Sequence, residues 1–230
     1  MGEFIPALRF RFATSLYDPI VRWTTREAAF KRVLVHTLAA KPGERILDLG
    51  CGTGTLAIAI ARKAAGAEIH GIDADPVVIE RAKVKQIRAA VTVNWRQGFA
   101  QSLPFIDGFF DAAVSSLFFH HLRRADKVAA LAEVARVMRP GGRLFIADWG
   151  QPASSSARAR FLIVRALDGF ETTRDSVEGL LPQLIAEAGF SSITLVREFA
   201  TPLGTLAIHR AGYPGGRRRP SPPDGEISGA

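Results

Sequence analysis

Arg45-Ile46-Leu47-Asp48-Leu49-Gly50-Cys51-Gly52-Thr53-Gly54-Thr55-Leu56 decides how the rest of the chain is read. An apolar strand carries an acid near its end, runs into three glycines at alternate positions and opens a helix. Glycine is needed there because a side chain would keep a ligand off the backbone, and because the turn takes positive φ. The dinucleotide fingerprint is G-x-G-x-x-G, with diphosphate oxygens against the helix N-terminus. Here the spacing is G-x-G-x-G, and Thr55 stands where the third fingerprint glycine would be. Asp48, ahead of the first glycine, repels a diphosphate and attracts a cation.

A nucleoside with an ammonium and a sulfonium but no phosphate, S-adenosylmethionine (SAM), meets both conditions. In this stretch the chain resembles motif I of the class I SAM-dependent methyltransferases, over Leu47 to Gly54.

Composition sets the outer bounds. The chain has 230 residues, 47% of them hydrophobic, which suits one domain with a well-buried core. No apolar run approaches the ~18 residues of a membrane-spanning helix. Arg9 and Arg11 interrupt the apolar N-terminus, so it does not read as a signal peptide. Cys51 is the only cysteine, which excludes an intrachain disulfide, and a cytoplasmic location is expected. The net charge of +8 comes from arginines and lysines scattered over the polar sides of helices, and a nucleic-acid partner is not expected.

Hydrophobic periodicity then orders the elements. Residues 1–40 read as a helical lid, with Asp18-Pro19 as a cap and first-turn proline. From 41 to 211 strands and helices alternate: strands at 45–49, 68–73, 91–96, 110–117 and 143–148, and helices at 53–65, 76–89 and 126–138. Asp75 is placed to cap the helix begun by Pro76, and Arg139-Pro140-Gly141-Gly142 to stop the helix before it. A helical insertion is expected at about 151–175 and a helix at 177–188, closed by Gly189. Two last strands, 191–199 and 202–210, are joined too tightly to be anything but antiparallel neighbours. Residues 212–230 read as a disordered tail containing Arg217-Arg218-Arg219. The fold class is α/β, a doubly wound, mostly parallel sheet; the resemblance implies seven strands, the last antiparallel.

The cofactor residues follow from this frame. Asp48 is read as holding the methionyl ammonium, directly or through water. Gly50, Cys51, Gly52 and Gly54 form the close backbone approach. Asp73, roughly twenty residues beyond the glycines with Ala74 beside it, accepts the ribose hydroxyl protons. In the methyltransferases the chain resembles, an acid after strand three binds the adenine amino group; here Phe99-Ala100 stands in that place. Phe99 can only pack on the adenine, and the amino group is left to Gln101, a backbone carbonyl or water.

Ligands of open α/β sheets sit beyond the carboxyl ends of the strands. That selects Ser116 on the cofactor side, and His120, His121 and Asp148 as candidates for moving a proton, since histidine titrates near neutrality. Asp148 is read as a base or as the residue that orders the next loop. Tyr17, Phe118, Phe119 and Trp149 are candidates for lining an acceptor pocket. No acid–histidine spacing announces a metal site, and none is expected.

Wider similarities support the family. Leu103-Pro104-Phe105, Phe110-Asp111 and Arg136-Val137-Met138-Arg139-Pro140-Gly141-Gly142 resemble later landmarks of small-molecule methyltransferases. Leu16-Tyr17-Asp18, with Arg26, Phe30, Lys31 and Arg32, resembles the opening of the ubiquinone/menaquinone-biosynthesis C-methyltransferases, and 205–213 resembles their final strand. The resemblance implies transfer of methyl from SAM to a small, apolar or aromatic acceptor, on oxygen, carbon or nitrogen. Two alternatives stay open: methylation of a phospholipid headgroup amine, favoured by an apolar and arginine-rich N-terminus suited to peripheral membrane contact, and SAM binding without catalysis. The sequence leaves the oligomeric state open.

Overall fold

The computed structural model describes residues 26–215. The expectations for Tyr17, for the Asp18-Pro19 cap, for the first part of the lid and for the basic triplet of the tail lie outside the described residues.

Among the described residues the order is α1 (Glu27–Leu38), β1 (Arg45–Leu49), α2 (Thr55–Lys63), β2 (Glu68–Asp73), α3 (Pro76–Ala89), β3 (Asn94–Gln97), β4 (Phe110–Ser116), a 3-10 turn (Phe119–His121), α4 (Arg124–Val137), β5 (Met138–Trp149), α5 (Ser155–Asp168), α6 (Arg174–Glu178), α7 (Leu181–Glu187), β6 (Ser191–Thr201) and β7 (Gly204–Tyr213). Seven strands form one sheet in the order β3-β2-β1-β4-β5-β7-β6. The β1–β2, β1–β4, β2–β3 and β4–β5 pairs are parallel; β7 runs against both β5 and β6. The order reverses beside β1, and that switch point is where open α/β sheets bind ligands.

Side-chain alternation assigns the faces. Ile46 of β1 and Phe145 and Ala147 of β5 pack with Phe30, Leu34, Leu56, Ile60 and Phe161 on the side of α1, α2 and α5. Leu47, Leu49, Leu144 and Ile146 pack with Leu131, Val134, Leu181 and Ile185 on the side of α4 and α7. Each fully buried side chain of this size contributes about 1.5–3 kcal/mol. By the same alternation Asp48 lies on the α1–α2 side and Asp148 on the α4–α7 side, so two acids leave the sheet on opposite faces.

Local chemistry explains where the elements stop. Asp75 caps α3, its carboxylate accepting the Val77 amide at 2.8 Å, with Pro76 in the first turn. Ser154 does the same for α5, accepting the Ala157 amide at 3.1 Å. The helix expected over 177–188 is two pieces: Gly179 turns left-handed at φ 68° and Pro182 restarts the chain as α7. Arg139-Pro140-Gly141-Gly142 does not form a separate stop. The chain enters β5 directly at Met138, which pairs with Phe110 before the register slips. Gly212 and Tyr213, expected in the tail, pair with β5 as the end of β7.

The insertion after β5 is anchored by charge. Lys127 of α4 is buried, donating to Asp175 at 2.8 Å and to the Thr172 carbonyl at 2.7 Å, while Arg124 reaches the other Asp175 oxygen at 3.1 Å. Removing one partner of a buried pair leaves an uncompensated charge. Lys127→Ala is therefore expected to lose about 3–5 kcal/mol, read as a lower urea midpoint at an unchanged denaturant slope.

Candidate functional site

The glycine loop turns on three positive φ values, 65° at Gly50, 51° at Gly52 and 75° at Gly54, but their surroundings differ. A Cβ at Gly50 would lie 2.3 Å from the Phe118 ring, and one at Gly54 2.4 Å from Trp95. Among the described residues, a Cβ at Gly52 would meet nothing within 4 Å. Gly52 thus faces open space, while Gly50 and Gly54 make room for aromatic rings. Gly71 does the same for Trp95 from β2, at 2.4 Å, and the Trp95 indole is held by Gln86 at 2.6 Å.

Two carboxylates frame the loop. Asp73 accepts the Gly52 amide at 2.8 Å on one oxygen and the Asp75 amide at 3.0 Å on the other. Burial raises its pKa, with those amides opposing. Each oxygen keeps a lone pair for a further donor. Asp48 is buried behind the loop, its Oδ2 accepting the Ala57 amide of α2 at 3.0 Å. Its Oδ1 is buried without a hydrogen-bond partner among the described residues. Burial pushes its pKa up to about 7, opposed by Lys31 of α1 and by the Ala57 amide. A buried acceptor short of one donor is what a ligand cation or an ordered water completes.

The remaining cofactor candidates divide. Cys51 is buried, and burial raises its thiol pKa further above the ordinary value, so it packs rather than reacts. The Ala74 carbonyl accepts from the Gln97 side chain at 3.2 Å. Ala100 is buried, while Phe99 beside it is half exposed at the end of β3. Ser116 ends β4 at the mouth. Sequence reasoning missed the anchor of this side. Arg136 of α4 donates to the carbonyls of Leu103 and Phe105, at 2.9 and 2.8 Å, and pins the Leu-Pro-Phe segment.

On the far side of Gly50 the chain leaves β4 through Leu117, at φ 53°, into the 3-10 turn. Asp148 of β5 organises this turn. Its Oδ2 accepts the Phe118 and His120 amides at 3.1 and 3.4 Å; its Oδ1 accepts His120 Nδ1 and the Trp149 amide, both at 2.7 Å. Burial disfavours its charge, but His120 and these amides outweigh that and hold its pKa below the ordinary carboxylate value. Asp148 is thus an anion engaged by four hydrogen bonds that orders the loop.

His120 is buried, and burial by itself disfavours its cation; Asp148 and Asp168 outweigh that and raise its pKa. His121 is more open, and burial followed by the neighbouring His120 charge lowers its pKa to about 3. The two rings lie 3.9 Å apart. Asp168, from the last turn of α5, faces both, at 3.6 Å from His120 Nε2 and 3.6 Å from His121 Nδ1. The spacing of the sequence did not reveal this residue, because it arrives from the far end of the insertion.

Of the four residues read as lining an acceptor pocket, Phe118 stands against Gly50. Phe119 and Trp149 are buried, Trp149 packing on Phe161 at 5.4 Å between centroids, so they belong to the core. Tyr17 lies outside the described residues. The arrangement offers an open backbone face with two carboxylates and, across Phe118, a cluster of imidazoles and acids.

Comparisons with known proteins bear on the family. A family described as methyltransferase domain matches residues 46–142. An uncharacterized methyltransferase of Synechocystis is 31% identical, over 80% of this chain and 83% of its own. A demethylmenaquinone methyltransferase of Thermus thermophilus is 33% identical, over 78% of this chain and 87% of its own. The crystal structure of a SAM-dependent methyltransferase from Methanosarcina mazei superposes with a TM-score of 0.63 at 22% identity, over 78% of this chain and 96% of its own.

The glycines are separable by stability. Gly52→Ala is expected to lose only the left-handed strain, about 1–2 kcal/mol. Gly54→Ala adds overpacking of Trp95, about 1–3 kcal/mol more. Chemical denaturation of the two variants checks the order.

Proposed function

Because the chain belongs to the class I SAM-dependent methyltransferases, we propose that it methylates a small, apolar or aromatic acceptor held between the glycine loop and the 3-10 turn, in a cytoplasmic setting. The observation that carries this reading is the convergence of two sites at the carboxyl ends of the neighbouring strands β1 and β4. The Phe118 ring touches the position of Gly50, and His120 follows within the same turn.

The residues fit the cofactor. Among the described residues, Gly52 offers backbone with no protein atom above it, Asp73 keeps acceptor capacity for ribose hydroxyls, and Asp48 has an unpartnered buried oxygen for a cationic group. When bound, SAM supplies an electrophilic methyl: an acceptor lone pair forms the new bond to carbon, sulfur keeps the C–S electron pair, and S-adenosylhomocysteine leaves. The chain's own share is to align, to exclude water and to receive the acceptor's proton.

For the proton, His120 is the best-built group. Its Nδ1–H is given to Asp148, which fixes the tautomer and turns Nε2 toward Asp168 and His121. Asp148 acts through His120 as a positioning residue. Phe118 supplies the apolar wall beside the reacting methyl. The name of the Thermus relative favours a quinone-like aromatic ring as acceptor.

Two outcomes are expected. With SAM and a panel of phenols, naphthohydroquinones, amines and phospholipid vesicles, mass spectrometry should find S-adenosylhomocysteine in step with a methylated aromatic, and His120→Gln should lower kcat by about 10²–10⁴-fold. Binding of SAM with no product on any acceptor would support the non-catalytic alternative and overturn the proposal. Product only with vesicles would shift it to the headgroup reading.

Secondly, Asp48 with a pKa of about 7 must be ionised to hold a cation. SAM affinity, measured by calorimetry, should therefore rise as pH increases from about 5.5 toward 7, approaching tenfold per pH unit at the acid end. The same rise should be absent in Asp48→Asn.

A further inference from the structure

We propose that His120, His121 and Asp168 bind one divalent first-row transition ion, with zinc(II) as the redox-silent reference, and that the acceptor bears an ionisable oxygen: a phenol, a hydroquinone or an enol. The acceptor half rests on the methyltransferase reading above; the ion site does not.

Among the described residues, this is the group of histidines and acids whose ligand atoms converge, all within 4.8 Å of one another. His70, by contrast, is engaged by Glu68 at 2.7 Å and enclosed by the edges of Phe105, Phe109 and Phe110. The two Asp168 oxygens are directed one to each imidazole, both at 3.6 Å, too long for a hydrogen bond. Bonds of about 2.1 Å at a tetrahedral ion place neighbouring ligand atoms about 3.4 Å apart. Each of the two separations, one from each carboxylate oxygen, is near that spacing, and with one ligand atom per residue all three lie within 4.8 Å of one another.

The outer partner is in place as well. A metal-binding histidine almost always gives its other ring N–H to a carboxylate or carbonyl, which fixes the tautomer and aims the lone pair. Asp148 takes the Nδ1–H of His120 at 2.7 Å while three backbone amides hold the carboxylate itself. His120 Nε2 is thereby left to face Asp168. An entry path exists, since the side chains of His121 and Asp168 keep 22% and 10% of their exposure while His120 and Asp148 are buried behind them. Three protein ligands leave a position open, as catalytic zinc sites do.

Two imidazoles and a carboxylate suit zinc or iron(II) rather than calcium or magnesium, which take oxygen ligands. An ion bound there would occupy the His120 Nε2 lone pair, so its Lewis acidity, favouring the ionised form of an acceptor hydroxyl, would replace the proton acceptance assigned to His120 in the ion-free protein. The residues of the cluster orient that oxygen at the mouth beyond Phe118. Asp168 comes from the insertion, so the segment that departs from the quinone C-methyltransferase pattern contributes the third ligand.

The test uses the untagged full chain, stripped with a chelator and dialysed against zinc(II) or cobalt(II). One equivalent should be retained, and the cobalt form should show d–d absorption in the visible without a thiolate charge-transfer band, which separates the site from Cys51. Asp168→Ala and His121→Gln should each weaken binding at least tenfold. Asp148→Asn should weaken it about ten- to a hundred-fold through His120. His36→Gln should bind like the parent. Circular dichroism and thermal melts check folding, and the two partly exposed ligands give independent variants should one fail to fold.

Failure of the parent chain to retain either ion, or retention unchanged in both Asp168→Ala and His121→Gln, would overturn the site. Turnover by metal-free protein together with no retained ion would overturn it while leaving methyl transfer intact. Retention lost in the variants, but without methylation of any oxygen-bearing acceptor, would sink the acceptor assignment and leave the ion site standing.

Discussion

A parallel sheet exposes the ends of its strands to loops whose backbone amides must find acceptors without the help of a neighbouring strand. In this chain three buried or half-buried carboxylates at strand ends supply them. Asp48 of β1 holds the first turn of α2, Asp73 of β2 holds the glycine loop, and Asp148 of β5 holds the turn after β4. Each joins an element other than its own. Burying a carboxylate is costly unless it is hydrogen-bonded, and among the described residues Asp48 Oδ1 is a buried acceptor without a donor. The crevice and its supports are therefore one construction.

The three acids are not equally satisfied, and the difference sorts them by task. Asp148 accepts four hydrogen bonds, three of them from backbone amides, and its pKa stays below the ordinary value despite burial. It has nothing left to offer a substrate, only direction to give to His120. Asp73 accepts two and keeps capacity. Asp48 accepts one, and burial lifts its pKa to about 7, with Lys31 as a compensating charge.

Much of this was legible in the sequence, for reasons that can be named. β1, β2 and α3 fall where periodicity, Asp75 and Pro76 place them, because each is set by residues within its own span. The break in the helix after residue 177 was written in Gly179 and Pro182, which outweigh the apolar spacing across them. The glycines carried a mixed message. Of the three loop glycines, only Gly52 faces open space among the described residues, while Gly54, like Gly71 of β2, is small because Trp95, distant in sequence, packs on both. Asp168 carried no local signal at all. Its meaning depends on how α5 returns over the 3-10 turn, and that path is set by the buried Lys127–Asp175 pair, not by anything adjacent to the histidines.

That anchoring links packing to chemistry. The insertion lies between two strands of the sheet and is free to vary in length without disturbing the β1–β4–β5 core. Here it is tied down at Asp175 by an ammonium and a guanidinium from α4, the helix that also supplies Arg136 to the Leu-Pro-Phe segment. One helix thus fixes both segments that flank the crevice, the Leu-Pro-Phe segment through Arg136 and the insertion through Lys127. The distance between the glycine loop and the histidine cluster is consequently set by the seating of α4 on β4 and β5. An in-line methyl transfer needs that kind of rigidity, because its rate depends on holding donor and acceptor at a fixed separation.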